Sequence, residues 1–331
     1  MTSLEQAIAQ SQHRTLFGRI SGMQVFWVFL AAAIACITLS LVTDTFATER
    51  NLFNVTRNFA FVGIIAIGMT TVIASGGIDL SVGASVVLAA VVIGVTMSAG
   101  YPFWLSVLAA LGAALLVGLV NGVLIAYVGI PPFVATLGML SFARSMALVL
   151  SNNRMIYEFG PDHDLLLRLG GGNLYGFPNP LLVLIVLACV MSFVYNWSRW
   201  GQYVFAIGGN ENAAVLTGIP VNLMKVSVYM FSAFTAGVAG ILMVGWLGSV
   251  TTNLGTAMEL TVIAAAVIGG ANLSGGEGTV LGAVIGALLI EVIRNSLILL
   301  GISTFWQGAF IGAFIISVVA FDRLKKLRGQ E

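Results

Sequence analysis

Long apolar runs without a single charged residue recur along this chain and set the first limit on its fold. The first covers 25–42, and no Asp, Glu, Lys or Arg occurs between Asp79 and Arg144. Charged residues make up 8% of the sequence and hydrophobic residues 59%, whereas a soluble globular domain carries about 25% charged residues. Too few polar side chains are present to build a water-facing surface. The sequence therefore predicts an integral membrane protein whose apolar surface faces lipid.

Ten apolar runs are candidate transmembrane helices, because a helix needs about 20 such residues to cross a bilayer. They cover 25–42, 59–74, 82–99, 103–127, 133–150, 181–197, 226–250, 260–268, 279–300 and 305–321. The eighth is too short to cross alone, so it must extend into its flanks or enter the membrane incompletely. The predicted fold class is an all-α integral membrane protein. Its membrane domain, 25–321, follows an N-terminal segment, 1–24, and precedes a basic tail, 322–331.

Lys and Arg near the ends of the spans predict the side that each loop faces, because basic loops stay on the cytoplasmic side. Arg14 and Arg19 precede the first run, and four basic residues occur in the tail. With ten spans both ends lie on the same side. Both termini are therefore predicted to be cytoplasmic, together with the loop 198–225.

Two glycine-rich stretches of similar sequence interrupt the apolar runs. SGGIDLSVGAS occupies 75–85 and IGGANLSGGEG occupies 268–278. One fixed offset aligns them and pairs Gly76 with Gly269, Gly77 with Gly270, Asp79 with Asn272, Ser81 with Ser274 and Gly83 with Gly276. Glycine permits non-helical backbone, and Asp, Asn and Ser satisfy the backbone groups that a break exposes. Each stretch is thus predicted to be a break between two apolar segments, and the pair an internal repeat of broken hairpins.

Irregular backbone at membrane depth persists only where it is buried in protein or lines a water-filled path. Broken helices in matching halves of a chain point to a transport pathway. Both breaks are predicted on the cytoplasmic side, which makes the repeat parallel. A re-entrant segment between them would make it inverted, and both arrangements stay open.

Asp79 has two interpretations. It is a helix cap that holds the break in shape, or it is a pathway residue that contacts a polar substrate or a cation. Because the neutral Asn272 occupies the matching position, the cap is the favoured interpretation.

The loop GQYVFAIGGNENAAVLTGIPVNLMK, 201–225, contains signals for a short helix. Asn210 is predicted to cap a helix over ENAAVLT, and Gly218 to end it in the left-handed conformation. A helix of this length is unstable alone in water, so it needs a partner surface. Docking into a groove on another protein fits this need, and the alternative is an ordinary interfacial helix.

Four motifs stand in order along the chain: GGIDLSVG (76–83), PPFVATLGML (131–140), AIGGNENAAVLTGIPV (206–221) and VIGGANLSGGEGT (267–279). Together they resemble the permease subunits of ribose-type ABC importers for simple sugars, with similarity from about residue 59 to the C-terminus. One departure is Arg144–Ser145, where that family often has Arg-Gly, so a tight glycine contact is not implied there.

The resemblance implies a permease domain that pairs with a second permease, identical or related, to enclose a path for a monosaccharide or related small polyol. It implies docking of the cytoplasmic loop on an ATP-binding-cassette ATPase, and delivery of sugar by a periplasmic or lipoprotein binding protein at the bacterial inner membrane. The implied coupling residues are Gly208, Gly209, Asn210, Glu211, Ala213, Ala214 and Gly218. The residues implied to shape the translocation path are Gly76, Gly77, Asp79, Ser81, Gly269, Gly270, Asn272, Ser274 and Gly276.

Isolated charges elsewhere have separate interpretations. Glu291 and Arg294 have the spacing of an intrahelical ion pair. Arg144 has no partner nearby in sequence, so it either snorkels or reaches a carboxylate across the bundle, with Asp79 as one candidate. Four arginines on the predicted outer face are solvated charges, or contacts for acidic groups on a binding protein, and the first account is favoured. They are Arg50, Arg57, Arg154 and Arg168.

Several classes of function lack the residues that they need. No G-x-x-x-x-G-K-[ST] phosphate loop occurs, so the chain does not hydrolyse ATP itself and is not predicted to be an enzyme. No cluster of His, Asp or Cys at ligand spacing suggests a metal or cofactor, and a net charge of +1 gives no basic field for nucleic acid. Two rivals remain: an ion-coupled secondary transporter in which Asp79 carries a proton or sodium ion, and a passive channel.

Overall fold

Residues 24–303 form a helical bundle in the computed structural model, which also describes residues 306, 308–310, 312, 313 and 316. The helices in chain order are α1 (Gln24–Val42), α2 (Glu49–Ala74), α3 (Val82–Ser98), α4 (Phe103–Ala126), α5 (Pro132–Leu150), α6 (His163–Gly171), α7 (Asn179–Trp197), α8 (Arg199–Gly209), α9 (Glu211–Leu216), α10 (Val221–Leu247), α11 (Met258–Ile268) and α12 (Val280–Leu299). The loop between α5 and α7 also holds a 3-10 turn, Gly160–Asp162, and the antiparallel strands β1 (Asn173–Leu174) and β2 (Phe177–Pro178). Apart from this short hairpin, the all-α prediction is confirmed for the described residues.

Seven of the described helices are long and apolar enough to cross a membrane, namely α1, α2, α4, α5, α7, α10 and α12. α3 and α11 are apolar but shorter. The tenth predicted span, 305–321, lies largely outside the described residues, as do the N-terminal segment and the basic tail. A multi-pass helical membrane fold is therefore confirmed, whereas the count of ten spans remains a prediction.

The second predicted span has the wrong N-terminal boundary. It was expected over 59–74, but α2 begins at Glu49 and carries Arg50 and Arg57 inside the helix. Arg57 is only 9% exposed, and its guanidinium lies 4.2 Å from the ring centroid of Trp246 on α10. The prediction that Arg57 is a solvated outer charge is wrong, because a distant helix supplies an aromatic face on which the cation stacks.

The centre of the bundle consists of α2, α3 and α10. Residues 60–74 of α2 are buried on every side, as expected of a helix that other helices surround completely. α4 packs closely on α10 at Gly118 and Gly122, and a Cβ at Gly122 would lie only 2.6 Å from the Cα of Val226. Small residues at such positions let membrane helices approach closely, so these two glycines allow α4 to pack directly on the backbone of α10.

The eighth predicted span enters the bundle incompletely. Its helix α11 has 11 residues, about 16 Å at a rise of 1.5 Å per residue, which is well short of a bilayer core. The chain reaches it through non-helical residues that run back along α3, with Val250 beside Gly94 and Gly255 beside Gly83. Val250 also pairs with Ile156 of the loop after α5, its N–H donating to the Ile156 carbonyl at 2.7 Å. Non-helical backbone therefore runs beside most of the length of α3, which covers one of its sides.

Candidate functional site

The two glycine-rich breaks meet at one end of the bundle, although the sequence separates them widely. We call residues 74–81, which begin with the last residue of α2, the first break and residues 269–279 the second break. The Gly276 N–H of the second break donates to the carbonyl of Ala74, the last residue of α2, at 2.9 Å. A backbone hydrogen bond thus joins the breaks directly.

A third segment, the two-helix segment 199–218, touches both breaks at Gly208. A Cβ on Gly208 would lie 2.6 Å from the amide nitrogen of Gly276 and closer still to the carbonyl oxygen of Ala74. A Cβ on Gly275 would in turn lie 2.9 Å from the Cα of Gly208. No side chain fits between these three backbones. We call this contact of Ala74, Gly208, Gly275 and Gly276 the glycine junction.

The junction combines residues that the sequence analysis placed in separate sets. Gly208 was assigned to coupling and Gly276 to the path, and the structure places them in contact. Gly275 and Ala74 were missed. Gly275 carried a local signal, the doubled glycine of SGGEG, whereas the Ala74 carbonyl carries none because every residue has the same group.

The first break ends α2 in a glycine terminator. Gly76 has φ +84°, and the N–H groups of Gly76 and Gly77 donate to the carbonyls of Ile73 and Val72, each at 2.9 Å. This pair of bonds satisfies carbonyls that the helix end would leave open. Gly77 packs against the phenol of Tyr229 on α10.

Asp79 lies in the core of the first break and is 1% exposed. Its Oδ1 accepts hydrogen bonds from the backbone N–H of Ser81 at 2.9 Å and from the Ser81 hydroxyl at 2.6 Å. Its Oδ2 accepts from the hydroxyl of Ser232 on α10 at 2.8 Å. The carboxylate therefore organises the turn that precedes α3 and ties it to α10, which is the structural alternative of the two predicted for it. Ser81, and not Asp79, is the N-cap position of α3.

The polar chain continues from Ser81 to a third helix. The side-chain amide of Asn121, on α4, donates to the Ser81 hydroxyl at 2.9 Å. All the side chains of this hydrogen-bond network are buried. Arg144 is not part of it. The suggested Arg144–Asp79 contact is wrong, since the Arg144 guanidinium donates instead to the Thr256 hydroxyl at 3.0 Å. The Glu291–Arg294 pair, in contrast, forms as predicted, with 3.8 Å between the charged atoms.

The second break repeats the local turn of the first. The Oδ1 of Asn272 accepts from the N–H of Ser274 at 3.0 Å, as Asp79 does from Ser81. Gly270, with φ +97°, ends α11. Gly270 is the second residue after α11, as Gly76 is the second residue after α2. The two helix ends therefore match Gly76 with Gly270, whereas the sequence alignment paired Gly76 with Gly269. Ser274 is exposed whereas Ser81 is buried, so the second break is the more open of the two.

The two-helix segment has one helix that was predicted and one that was not. The Asn210 side chain accepts from the N–H of Ala213 at 3.0 Å and caps α9, and Gly218 follows α9 with φ +82°. Both predictions are confirmed. α8 was missed, although Ser198 caps it by accepting from the N–H of Gly201 at 3.0 Å, a pattern that the sequence displays.

α9 is anchored on one side and presents apolar residues on the other. Ala214 is buried, and Glu211 pairs with Lys225 of α10 at 2.7 Å. Leu216, however, is 88% exposed, and Val215 is exposed beside it. Large apolar side chains that are exposed on an anchored surface helix are typical of a binding surface.

A cavity of about 530 Å³ lies between the first break and the two-helix segment. Its lining includes residues of Ser75–Gly77, Gly208–Glu211 and the turn before α5, together with Lys225 and Tyr229. Among the described residues, no group of three or more His, Cys, Asp or Glu could hold a metal ion.

Four of the nine residues assigned to the path are buried, three are half-buried and two are exposed. The half-buried ones are Gly270, Asn272 and Gly276. Gly77, Asp79, Ser81 and Gly269 are buried. Gly76 and Ser274 are exposed. The breaks therefore have the contacts of joints between helices, and Asp79 is held by hydrogen bonds within the first break and from α10.

Known proteins resemble this chain over most of its length. Residues 51–319 match the family described as branched-chain amino acid transport system / permease component. The ribose import permease protein RbsC of Bacillus subtilis (strain 168) is 36% identical over 303 residues, covering 92% of this chain and 94% of the relative. The fructose import permease protein FrcC of Rhizobium meliloti is 37% identical over 273 residues, covering 81% and 76%. The D-allose transport system permease protein AlsC of Escherichia coli (strain K12) is 33% identical over 306 residues, covering 91% and 93%. No solved structure matches the chain.

Proposed function

The chain belongs to this family of transport-system permease components, and we propose that it forms the translocation path for a monosaccharide or related small polyol. It is a multi-pass membrane subunit of an ATP-binding-cassette importer. The sugar class comes from the names of the relatives, which import ribose, fructose and allose. The partners of such a component are an ATPase and a solute-binding protein.

The energy for uphill transport comes from outside the chain. The sequence has no phosphate-binding loop, and its three lysines, Lys225, Lys325 and Lys326, are not in such a setting. We therefore assign nucleotide hydrolysis to the ATPase partner. The permease contributes binding surfaces and conformational change, without covalent chemistry.

The glycine junction is the observation that carries the proposed mechanism. The two-helix segment docks on the ATPase through the exposed side of α9, where Val215 and Leu216 lie. ATPase closure moves the segment, and Gly208 transmits the movement to both breaks because its backbone contacts both. The helices that leave the breaks, α3 and α12, then tilt and open the path alternately to the two sides. The coupling set from the sequence analysis, Gly208–Glu211 with Ala213, Ala214 and Gly218, belongs to this segment.

The arrangement in the membrane follows from the same proposal. The end of the bundle with the junction faces the cytoplasm, as do both termini, at the bacterial inner membrane. A second permease copy, identical or related, encloses the path, and the two breaks are an internal repeat within each copy. The chain divides into the permease domain 25–321, including the loop 198–225, and the two terminal segments.

Reconstitution tests the function directly. Vesicles that contain the permease, its ATPase and its binding protein are expected to accumulate D-ribose, D-fructose or D-allose. Accumulation is expected only when ATP is present on the side of the membrane that the ATPase faces. Vesicles with the permease alone are expected to accumulate none of the three, under a proton gradient or a sodium gradient. Gradient-driven accumulation by the permease alone would establish the ion-coupled rival, and downhill flux through it alone would establish the channel.

The docking role of α9 predicts a defect at its terminating glycine. A valine at Gly218 must adopt φ near +82°, which costs an L-residue about 1–2 kcal/mol. A cost of this size shifts a local equilibrium about 5- to 30-fold. ATP-dependent uptake is expected to fall by a similar factor while ATP hydrolysis continues. Gly218→Asn is the matched control, because asparagine tolerates this conformation and a Cβ there meets no other atom within 4 Å. Uptake by the valine variant at the wild-type rate would contradict the docking role.

A further inference from the structure

The outer surface of the bundle is apolar on most helices. The exposed side chains of α1, α4 and α7 are large and apolar, as on Phe29, Leu108 and Val186. One face of α5 differs, because Ser141 and Ser145 are exposed there beside Arg144, which is half-buried. Lipid offers no hydrogen bonds to such side chains.

The depth of Arg144 makes its charge significant. The hydroxyl of Thr136, earlier on α5, lies 3.5 Å from the carbonyl of Ile78 and marks the level of the first break. Arg144 is about 12 Å further along the helix and about 9 Å before its end at Leu150, at 1.5 Å per residue. Side chains lean toward the N-terminus of their helix, so the guanidinium points back toward the middle of the span rather than toward the nearer end.

Arg144 reaches the residues around the start of α11: its guanidinium donates to Thr256, and its charge also acts on the carboxyl group of Glu259 in the first turn of α11. Thr256, which accepts from the guanidinium at 3.0 Å, belongs to the non-helical residues before α11. Thr256 and the nearby Asn253 are exposed, and the Thr256 hydroxyl donates to the Asn253 carbonyl at 2.7 Å. Non-helical backbone that is exposed at membrane depth occurs only along a water-filled cavity.

We infer that this polar face, formed by Ser141, Arg144 and Ser145 of α5 with Asn253 and Thr256, lines the aqueous path and contacts the hydroxyl groups of the moving solute. Arg has five N–H donors, and among the described residues one of them is used, toward Thr256. The remaining N–H groups of Arg144 donate to hydroxyl oxygens of the solute, while the serine and asparagine side chains both donate to the solute and accept from it. A neutral hydroxyl is a weaker acceptor than a carboxylate, so the solute is contacted without being held.

The solute class in this inference rests on the proposed function, whereas the water-filled path rests on the position of the polar face alone. The inference also assigns solute contact to other residues than the sequence prediction did. The breaks act as joints, and the solute contacts α5 and the residues before α11, further from the end of the bundle that holds the glycine junction. A guanidinium that faces lipid far from the bilayer surface is costly, and a path filled with water avoids this cost.

Cysteine labelling in the assembled transporter tests the lining. Cys189 serves as the control because it is exposed on α7, on the apolar surface. Cys36 is replaced by alanine throughout, and Cys189 is replaced by alanine in the test variants Ser141→Cys, Ser145→Cys and Asn253→Cys. Thiols react as thiolates, which need water, so an anionic, membrane-impermeant methanethiosulfonate is expected to label the test variants at least about tenfold faster than Cys189. Labelling of all three after denaturation checks that the thiols are present.

Two results would overturn the inference. If the three test cysteines react as slowly as Cys189, the face lies against lipid or against a tightly packed second copy, and in neither case does it line a path. If they react but D-ribose, D-fructose and D-allose at saturating concentration leave the rates unchanged, solute contact is excluded. ATP-dependent uptake by the Cys36→Ala, Cys189→Ala background is measured in the same vesicles. If this background takes up sugar with ATP but the test cysteines are not labelled, the inferred lining is wrong while the proposed function stands.

Discussion

Uptake by the complete transporter is expected to fall at least about hundredfold when Gly208 is replaced by valine, since the added atoms cost more than about 3 kcal/mol. The first added atom would already overlap the Ala74 carbonyl oxygen and lie 2.6 Å from the Gly276 nitrogen. These are backbone atoms, so no side-chain rotation relieves the contact. The two-helix segment must move away from both breaks, and the movement of the ATPase no longer reaches them.

Gly209 provides the matched control for this prediction. It is the next residue of α8, and a Cβ on it would meet nothing within 4 Å. Gly209→Ala is expected to retain most of the uptake. Measuring ATP hydrolysis beside uptake in the Gly208 variant separates loss of coupling, in which hydrolysis continues, from loss of assembly, in which both stop. Gly208→Ala with wild-type uptake would show that the junction is not a rigid contact.

Asp79→Ala is expected to destabilise the protein by about 3–5 kcal/mol, because it removes a buried acceptor and leaves its donors without partners. The Ser81 N–H, the Ser81 hydroxyl and the Ser232 hydroxyl all lose their acceptor. Thermal aggregation of the purified permease, or of the complex with its ATPase, measures the loss. Uptake is expected to fall with the amount of folded protein.

Asp79→Asn is the control that distinguishes a structural carboxylate from an ion carrier. An asparagine keeps Oδ1 for the two bonds from Ser81, and its amide donates to the Ser232 hydroxyl. Asn272 already holds the second break with the same Oδ1 contact, to Ser274 at 3.0 Å. The Asn variant is therefore expected to lie within about 1 kcal/mol of the wild type in stability and to retain ATP-dependent uptake. A stable Asp79→Asn protein without uptake would show that the charge itself is needed.

Boundaries and ends of single helices were predictable where the signal is local. The Asn210 cap and the Gly218 terminator of α9 were read from neighbouring residues, and the structure has both. The start of α2 was not predicted, because Glu49, Arg50 and Arg57 precede the apolar run that begins at residue 59. What makes Arg57 acceptable there is the indole of Trp246, which is remote in sequence.

Long-range partners were the main source of error for single charges. Asp79 was offered as a partner for Arg144 because both are isolated charges between apolar runs. The structure gives Asp79 two serines and gives Arg144 a threonine. Hydroxyl groups that satisfy a buried charge carry no signal in hydropathy, so the sequence does not show that serines hold Asp79. Arg144 does act on a carboxyl group across the bundle, but it is that of Glu259.

The sequence by itself determined that this chain lies in a membrane, where most of its helices run, and where two glycine-rich breaks interrupt them, since hydropathy and backbone freedom act on neighbouring residues. Only the tertiary structure decided that the breaks touch each other through Gly276 and Ala74, with Gly208 between them. Such a contact consists of backbone atoms without side chains, so it depends on how the helices are placed in space and not on any residue pattern.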